Sequence, residues 1–311
     1  MEQAHWRRRG VLAGLSGAAL AGPSLASAAT APAMPDGACD CHLHIYDPRF
    51  PYQPNAQLKP PPATVADYRA VQRRLGTSRA VIVTPSTYGT DNAHLLDALG
   101  QMGDTARGVA VCHADISMAE LRRMHAAGVR GVRVQFGRGS IVGAEEIMPL
   151  ARRVAPLGWH VQFNMPVADY AQIAPVLLRV PTTIVIDHFG RTPPSPQTAA
   201  PAHYDLMRRL LDNGRTWMKL SSPYTDSVSG APAYADMAAV ARDYLAHAPE
   251  RMVWASNWPY PDVAPAPAPD PVQLLSLLPS WAPDPFLRHR MLVENPERLY
   301  GFDRLKRPKA A

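Results

Sequence analysis

Three cysteines are too few for an even disulfide framework in 311 residues. Cys39 and Cys41 lie two apart on a strand-like run, where backbone separation suits a bridge poorly, and Cys112 sits in another apolar run. All three read as buried free thiols. Charge is sparse as well: charged residues make up 19%, and the net charge is +6. Three arginines and one glutamate of that balance fall within residues 1–28, which leaves +4 for the rest. No Lys/Arg run with interleaved aromatics occurs in the body of the chain, which argues against nucleic acid as a partner. Past the N-terminus no apolar stretch is long enough to cross a bilayer. No Gly-x-Gly-x-x-Gly follows the first strand-like run, which argues against a dinucleotide-binding sheet.

What the chain has is apolar residues, at 47%, and proline, at 33 residues. The first supplies a substantial core; the second makes many connections stiff. The N-terminus reads "WRRRGVLAGLSGAALAGPSLASAATA". Arg7, Arg8 and Arg9 precede a weakly apolar Gly/Ala run that ends in small residues at Ala26 to Ala28. This is the layout of a cleavable signal of the twin-arginine type over residues 1–28. It predicts export to a bacterial periplasm by the twin-arginine machinery, with no stable membrane insertion after cleavage.

From Cys39 onward, short apolar or β-branched runs alternate with amphipathic ones. The strand-like runs are "CDCHLHIY" (39–46), "RAVIVTPS" (79–86), "RGVAVCH" (107–113) and "VRGVRVQF" (129–136). "HVQFNMP" (160–166), "TTIVIDHF" (182–189), "TWMKLSS" (216–222) and "RMVWASNW" (251–258) follow. Helical spacing fills the intervals, as in "VADYRAVQRRLG" and "YADMAAVARDYLAHAP". Eight such units predict an α/β fold, a (β/α)8 TIM barrel over 38–303 with an extra C-terminal helix. "PDVAPAPAPDP" (261–271) reads as a stiff loop after the last strand.

A barrel of this kind works at the C-terminal ends of its strands. Polar residues gather there: His42 and His44 late in the first run, Ser86 ending the second, His113 ending the third. Arg133 and Gln135 lie late in the fourth, and Gln162 and Asn164 in the fifth. Asp187 and His188 end the sixth, Lys219 and Ser221 lie in the seventh, and Ser256 and Asn257 end the eighth. Strand alternation puts Asp40, His42 and His44 on one face and Cys39, Cys41 and Leu43 on the other. With the apolar face turned to the helices, the histidines point inward and the cysteines do not join them.

"DCHLHIYDP", "GVRGVRVQF", "HVQFN", "IDHFGR", "APERMVWASNWPYP" and "ENPERLYGF" together resemble the amidohydrolase-related (amidohydrolase 2) family of barrel hydrolases, from about residue 38 to 302. The resemblance implies a lactone of a dicarboxylic acid as substrate, such as a pyrone dicarboxylate. It implies His42, His44 and His188 as active-site histidines. It implies Arg133, Arg191 and Arg138 as carboxylate-binding arginines, work that suits the planar guanidinium fork. Ser86, Gln162 and Ser221 are further candidates for holding the substrate. The chain departs from the family's metal-dependent members at two places. Gln162 stands where a fifth-strand ligand is found, and Asn257 where the hydrolases carry an aspartate. An asparagine amide is neutral and has no useful basicity. The departures favour a site without a cofactor; the alternative is one divalent ion such as zinc on His42, His44 and His188. Three functions follow: lactone hydrolysis, migration of the lactone ring in an aldarolactone without net hydrolysis, or a binding barrel without activity.

Overall fold

A computed structural model describes residues 34–136, 141–195, 200–261 and 268–304. The export signal read over residues 1–28, Arg138 and part of the proline-rich loop lie outside the described residues. The strands are β1 (Cys39–Leu43), β2 (Arg79–Val83), β3 (Ala106–Ala110) and β4 (Val129–Gln135), then β5 (His160–Asn164), β6 (Ile184–Ile186), β7 (Thr216–Leu220) and β8 (Met252–Trp254). Each pairs in parallel with the next, in the order β1 to β8. The eight form a nearly closed barrel wrapped by helices, as a (β/α)8 architecture requires.

Between the strands run α1 (Val65–Leu75), α2 (Ala93–Met102), α3 (Met118–Ala126), α4 (Ile147–Val154), α5 (Val167–Leu177) and α6 (Pro201–Asp212). A short α7 (Pro223–Asp226) precedes α8 (Ala235–His247). The C-terminal part holds α9 (Pro271–Leu275), α10 (Leu278–Trp281), α11 (Pro285–His289) and α12 (Asn295–Tyr300). Local sequence sets several of these ends. Thr64 and Asp67 form a reciprocal capping box at the start of α1, and Gly76 closes it with φ 72°. Among the described residues no helix is long and apolar enough to cross a membrane.

Alternation on β2 sorts the core into two layers. Ala80 and Ile82 pack outward against Leu95 and Leu99 of α2, while Val81 and Val83 turn into the barrel. Cys39 and Cys41 join Val81, Val83, Val109, Val185 and Val253 in that interior layer. Tyr300 and Phe302, at the end of α12, extend the same cluster. Arg79 and Arg107 lie over the Phe302 ring, 5.2 and 4.6 Å from its centroid. All three cysteines are free and buried.

The placement of Cys39 and Cys41 corrects the expectation that they face the helices. From Asp40 to Leu43 the first strand advances three residues while its partner advances two, from Ala80 to Ile82. One extra residue is therefore inserted, a β-bulge. Strict alternation counted back from His44 inverts the facing of everything below the bulge. Asp40 consequently does not share a face with His42. It lies outside the barrel wall, accepting bonds from the Ser256 N–H at 2.8 Å, the Ser256 hydroxyl at 2.6 Å and the Tyr68 hydroxyl of α1 at 3.2 Å.

That carboxylate helps join the first strand to the segment after the last. The Asn257 N–H donates to the His42 carbonyl at 2.9 Å, and the His44 N–H donates to the Trp258 carbonyl at 2.8 Å. Several runs read as strand residues leave the sheet earlier than expected. β6 ends at Ile186 and β8 at Trp254, so His188 and Asn257 sit on turns just beyond. Both turns need left-handed backbone, which a sheet cannot hold: φ is 52° at His188 and 59° at Asn257.

Candidate active site

The C-terminal ends of the strands converge on a buried polar cluster. Asp187, one residue past β6, lies at its centre and is fully buried. Its Oδ1 is 3.2 Å from His42 Nδ1 and 3.4 Å from Lys219 Nζ. Its Oδ2 accepts from Gln162 Nε2 at 2.8 Å and lies 3.7 Å from Arg133 Nε. Burial alone would raise the Asp187 pKa. The Lys219 ammonium and the adjacent histidines outweigh it and hold the carboxyl well below its usual range. Lys219 also donates to Gln162 Oε1 at 2.7 Å and meets His42 Nδ1 at 3.2 Å. Gln162 thus bridges Lys219 and Asp187.

The three predicted histidines come together around this cluster. The rings of His42 and His44 meet edge-on with centroids 4.9 Å apart, and His188 is 4.9 Å from His42 on the other side. His42 Nε2 and His44 Nε2 are 3.3 Å apart. His44 Nδ1 donates to the Val83 carbonyl at 2.8 Å. His188 Nδ1 sits 2.8 Å from the Ser221 hydroxyl and 3.2 Å from that of Ser222. Burial is the leading cause that pushes the pKa of His44 and of His188 down to about 3, with the Arg133 guanidinium adding to it in each case. At neutral pH these rings are uncharged.

Backbone strain is concentrated at the same mouth. His188, Ser222 and Asn257, on three consecutive strand–loop junctions, all have positive φ. Left-handed non-glycine residues cost on the order of 1–2 kcal/mol each. The turn at His188 is held by His203, whose Nε2 donates to the Gly190 carbonyl at 2.8 Å. The Asn257 Nδ2 donates to the Tyr224 hydroxyl at 3.0 Å, and its Oδ1 is buried with no hydrogen-bond partner among the described residues.

The substrate-binding candidates separate. Arg133 is 4% exposed and lines a small pocket with Ser86, Gln135, Val111, Ile141 and Val142. Arg191 lies at the rim, where its Nε and Nη2 grip the Asp226 carboxylate at 2.9 and 2.8 Å. Ser221 faces His188 and Gln162 belongs to the central network. His160 opens β5, two residues before Gln162, and lies edge-on to the Tyr300 ring at 5.5 Å. His113 is near the surface and pairs with Glu146 at 3.0 Å.

Asp187 and Lys219 were visible as polar strand ends, but sequence reasoning did not select them. Their signal was a charged residue in an otherwise apolar run, "IVIDHF" and "WMKLSS". A charge in such a position is buried only when paired. His42, Asp187 and His188 also form a group whose donor atoms all lie within 4.8 Å of one another, the type of cluster that can hold a metal ion.

Comparison with known proteins shows similarity over most of the chain. A 2-pyrone-4,6-dicarboxylate hydrolase of Comamonas testosteroni is 34% identical over 278 residues, covering 86% of this chain and 91% of that protein. A D-galactarolactone isomerase of Agrobacterium fabrum is 34% identical over 285 residues, covering 91% of this chain and 97% of that protein. An apo crystal structure from Agrobacterium tumefaciens superposes with a TM-score of 0.81 at 33% identity, covering 88% of this chain and 99% of the other. The amidohydrolase profile matches residues 39–302, and with that span covering the whole barrel the chain belongs to the amidohydrolase family.

Proposed function

We propose that the protein hydrolyses a lactone bearing carboxylate groups, and does so without a metal ion. The observation that carries the reading is the convergence of three neutral, buried histidines beside Arg133 at the mouth of the barrel. Arg133 is placed to hold a substrate carboxylate, with Ser86 lining the same cavity. Arg191 and Arg138 are the further carboxylate-binding candidates, and Gln162 keeps Lys219 and Asp187 in register. His42 and His188 polarise the ring carbonyl. Water adds to that carbonyl with a histidine taking its proton, the ring C–O bond breaks, and the leaving oxygen is protonated. The product is an open hydroxy acid, so each turnover releases one acid equivalent.

Support for metal-free operation comes from charge. The one carboxylate of the cluster is shared by Lys219 and Arg133, two buried cations that oppose a third. Asn257 brings a neutral amide where a ligand carboxylate would be needed. The Lys219 and Arg133 cations beside Asp187 disfavour a divalent ion on His42, Asp187 and His188, and no step here runs through one.

A second reading is favoured by Asn257 itself. Without a carboxylate to activate water, a substrate hydroxyl can attack the carbonyl instead, and the lactone ring migrates with no net acid. A panel of pyrone dicarboxylates and aldarolactones, followed by acid release and by product NMR, separates the two. Acid release on at least one lactone is expected, with a loss of about 100-fold or more in His188→Ala. Turnover that survives His188→Ala unchanged would exclude this site.

We also propose that the chain acts in the periplasm after twin-arginine export. The basis is Arg7 to Arg9 followed by a Gly/Ala run and a small-residue cleavage site. Cell fractionation is expected to find the shortened protein outside the cytoplasm, and Arg8→Lys/Arg9→Lys to retain it inside; full-length cytoplasmic protein in both cases would refute export.

A further inference from the structure

Lys219 makes contacts that the lactone chemistry above does not use. It is fully buried in the wall of the barrel, and its ammonium has three hydrogens. Three acceptor positions surround it: Gln162 Oε1 at 2.7 Å, His42 Nδ1 at 3.2 Å and Asp187 Oδ1 at 3.4 Å. The count closes if His42 Nδ1 carries no proton.

The other end of the chain of contacts requires the same assignment. The Val83 carbonyl can only accept, so His44 Nδ1 carries a hydrogen, and neutral His44 has a bare Nε2. That Nε2 is 3.3 Å from His42 Nε2. A hydrogen bond between them needs the proton on His42 Nε2, which again leaves His42 Nδ1 bare. Every donor then meets an acceptor, from Lys219 through His42 and His44 to Val83, and the bare His42 Nδ1 and Asp187 Oδ1, 3.2 Å apart, are held together by the Lys219 ammonium that donates to both. With the proton on His42 Nδ1 instead, directed at Asp187, two lone pairs face each other at 3.3 Å. Such a pair repels, and it is the arrangement in which two histidines hold a cation, each with its other nitrogen tied to a carboxylate or carbonyl.

We infer that Lys219 is a positioning residue that fixes His42 as the Nε2–H tautomer. It thereby makes His42 a hydrogen-bond donor toward the mouth of the barrel and keeps the His42–His44 pair from acting as a two-nitrogen chelate. The assignment rests on the reading of His42 as the group that polarises the substrate carbonyl. Its test needs no substrate, so failure of the lactone reading and failure of this one are distinguishable.

The test is ¹⁵N NMR of histidine-labelled whole protein, with the His42 signal assigned by its loss in His42→Gln, together with equilibrium dialysis against zinc chloride. The native protein is expected to show His42 protonated at Nε2. Lys219→Met is expected to move the proton to Nδ1 and to tighten zinc binding by about 10–100-fold, the scale on which groups behind metal-binding histidines act. Lys219→Met leaves Asp187 without its ammonium and is at risk of misfolding, so Asp187→Asn/Lys219→Met serves as the second variant. There the amide at position 187 can donate to His42 Nδ1, and the Nε2–H form is expected to return with weak zinc binding. A native protein with His42 protonated at Nδ1 overturns the inference whatever the variants do. A Lys219→Met protein that folds with its tautomer and zinc affinity unchanged overturns it too.

Discussion

Lowering the pH from 6.5 to 5 is expected to cost the folded state on the order of 5 kcal/mol. Four buried histidines set the size of the loss, and His42, whose pKa burial and the Lys219 ammonium hold well below its ordinary value, acts in the same direction. Burial is the leading cause that lowers the pKa of His44, His160 and His188 to about 3 and that of His94 to about 4. Their unfolded values lie near 6.5. Between those limits the unfolded chain binds more protons than the native one, so stability rises with pH and is lost as pH falls. Each such group contributes a slope of up to about 1.4 kcal/mol per pH unit. Asp40 acts with the opposite sign. Burial raises its pKa from 3.8 to about 6, so over that window the native state takes up the extra proton and acid stabilises it. One carboxylate offsets one histidine and leaves about three uncompensated. A domain with a typical margin of roughly 5–15 kcal/mol would approach unfolding near pH 5. Guanidinium unfolding followed by circular dichroism at pH 7, 6 and 5 measures this directly. His160→Gln, at the first residue of β5, should flatten the slope by about one histidine's share. A midpoint that does not move between pH 7 and 5 would show that these rings are not held neutral.

How much of this was readable beforehand depends on the distance over which each signal acts. The barrel was legible because alternation of short apolar and amphipathic runs is local, and eight such runs leave few other folds. His42, His44 and His188 were legible because two residues on one strand and a third at a strand end need no knowledge of packing. The facing of Cys39 and Cys41 was misread because a single inserted residue between Asp40 and Leu43 breaks the period, and nothing in "CDCHL" announces a bulge. Lys219 and Asp187 were seen as polar strand ends, but their roles depend on contacts with Gln162, His42 and Arg133 on other strands. Pairings such as Lys219 with His42, 177 residues apart, carry no local pattern. Arg191 was selected for its charge three residues past His188. Its grip on Asp226, 35 residues on, comes from the way the β6 and β7 loops meet at the rim. The strained turns at His188, Ser222 and Asn257 were equally hidden, because none of them uses the glycine that usually marks positive φ.

Asn257→Asp is expected to change what the site does with a bound lactone. The substitution conserves shape, and aspartate tolerates the left-handed backbone that position 257 requires. The backbone bond from residue 257 to the His42 carbonyl is unaffected. What changes is the buried Oδ1 edge, at present a neutral acceptor without a partner. As a carboxylate it can take a proton from water beside the three histidines, and the Tyr224 hydroxyl, now 3.0 Å from Nδ2, can donate to it. General-base catalysis contributes roughly 10²–10⁴-fold when a positioned base replaces none. Hydrolysis should therefore rise by about 100-fold relative to ring migration, read as acid equivalents against rearranged lactone in the same reaction. If the native protein already hydrolyses its substrate through a histidine, the same variant should raise acid release by supplying a second base. An unchanged product ratio together with an unchanged rate of acid release would mean that residue 257 does not face the reacting water. The choice between water and a substrate hydroxyl would then lie with His42 and His188.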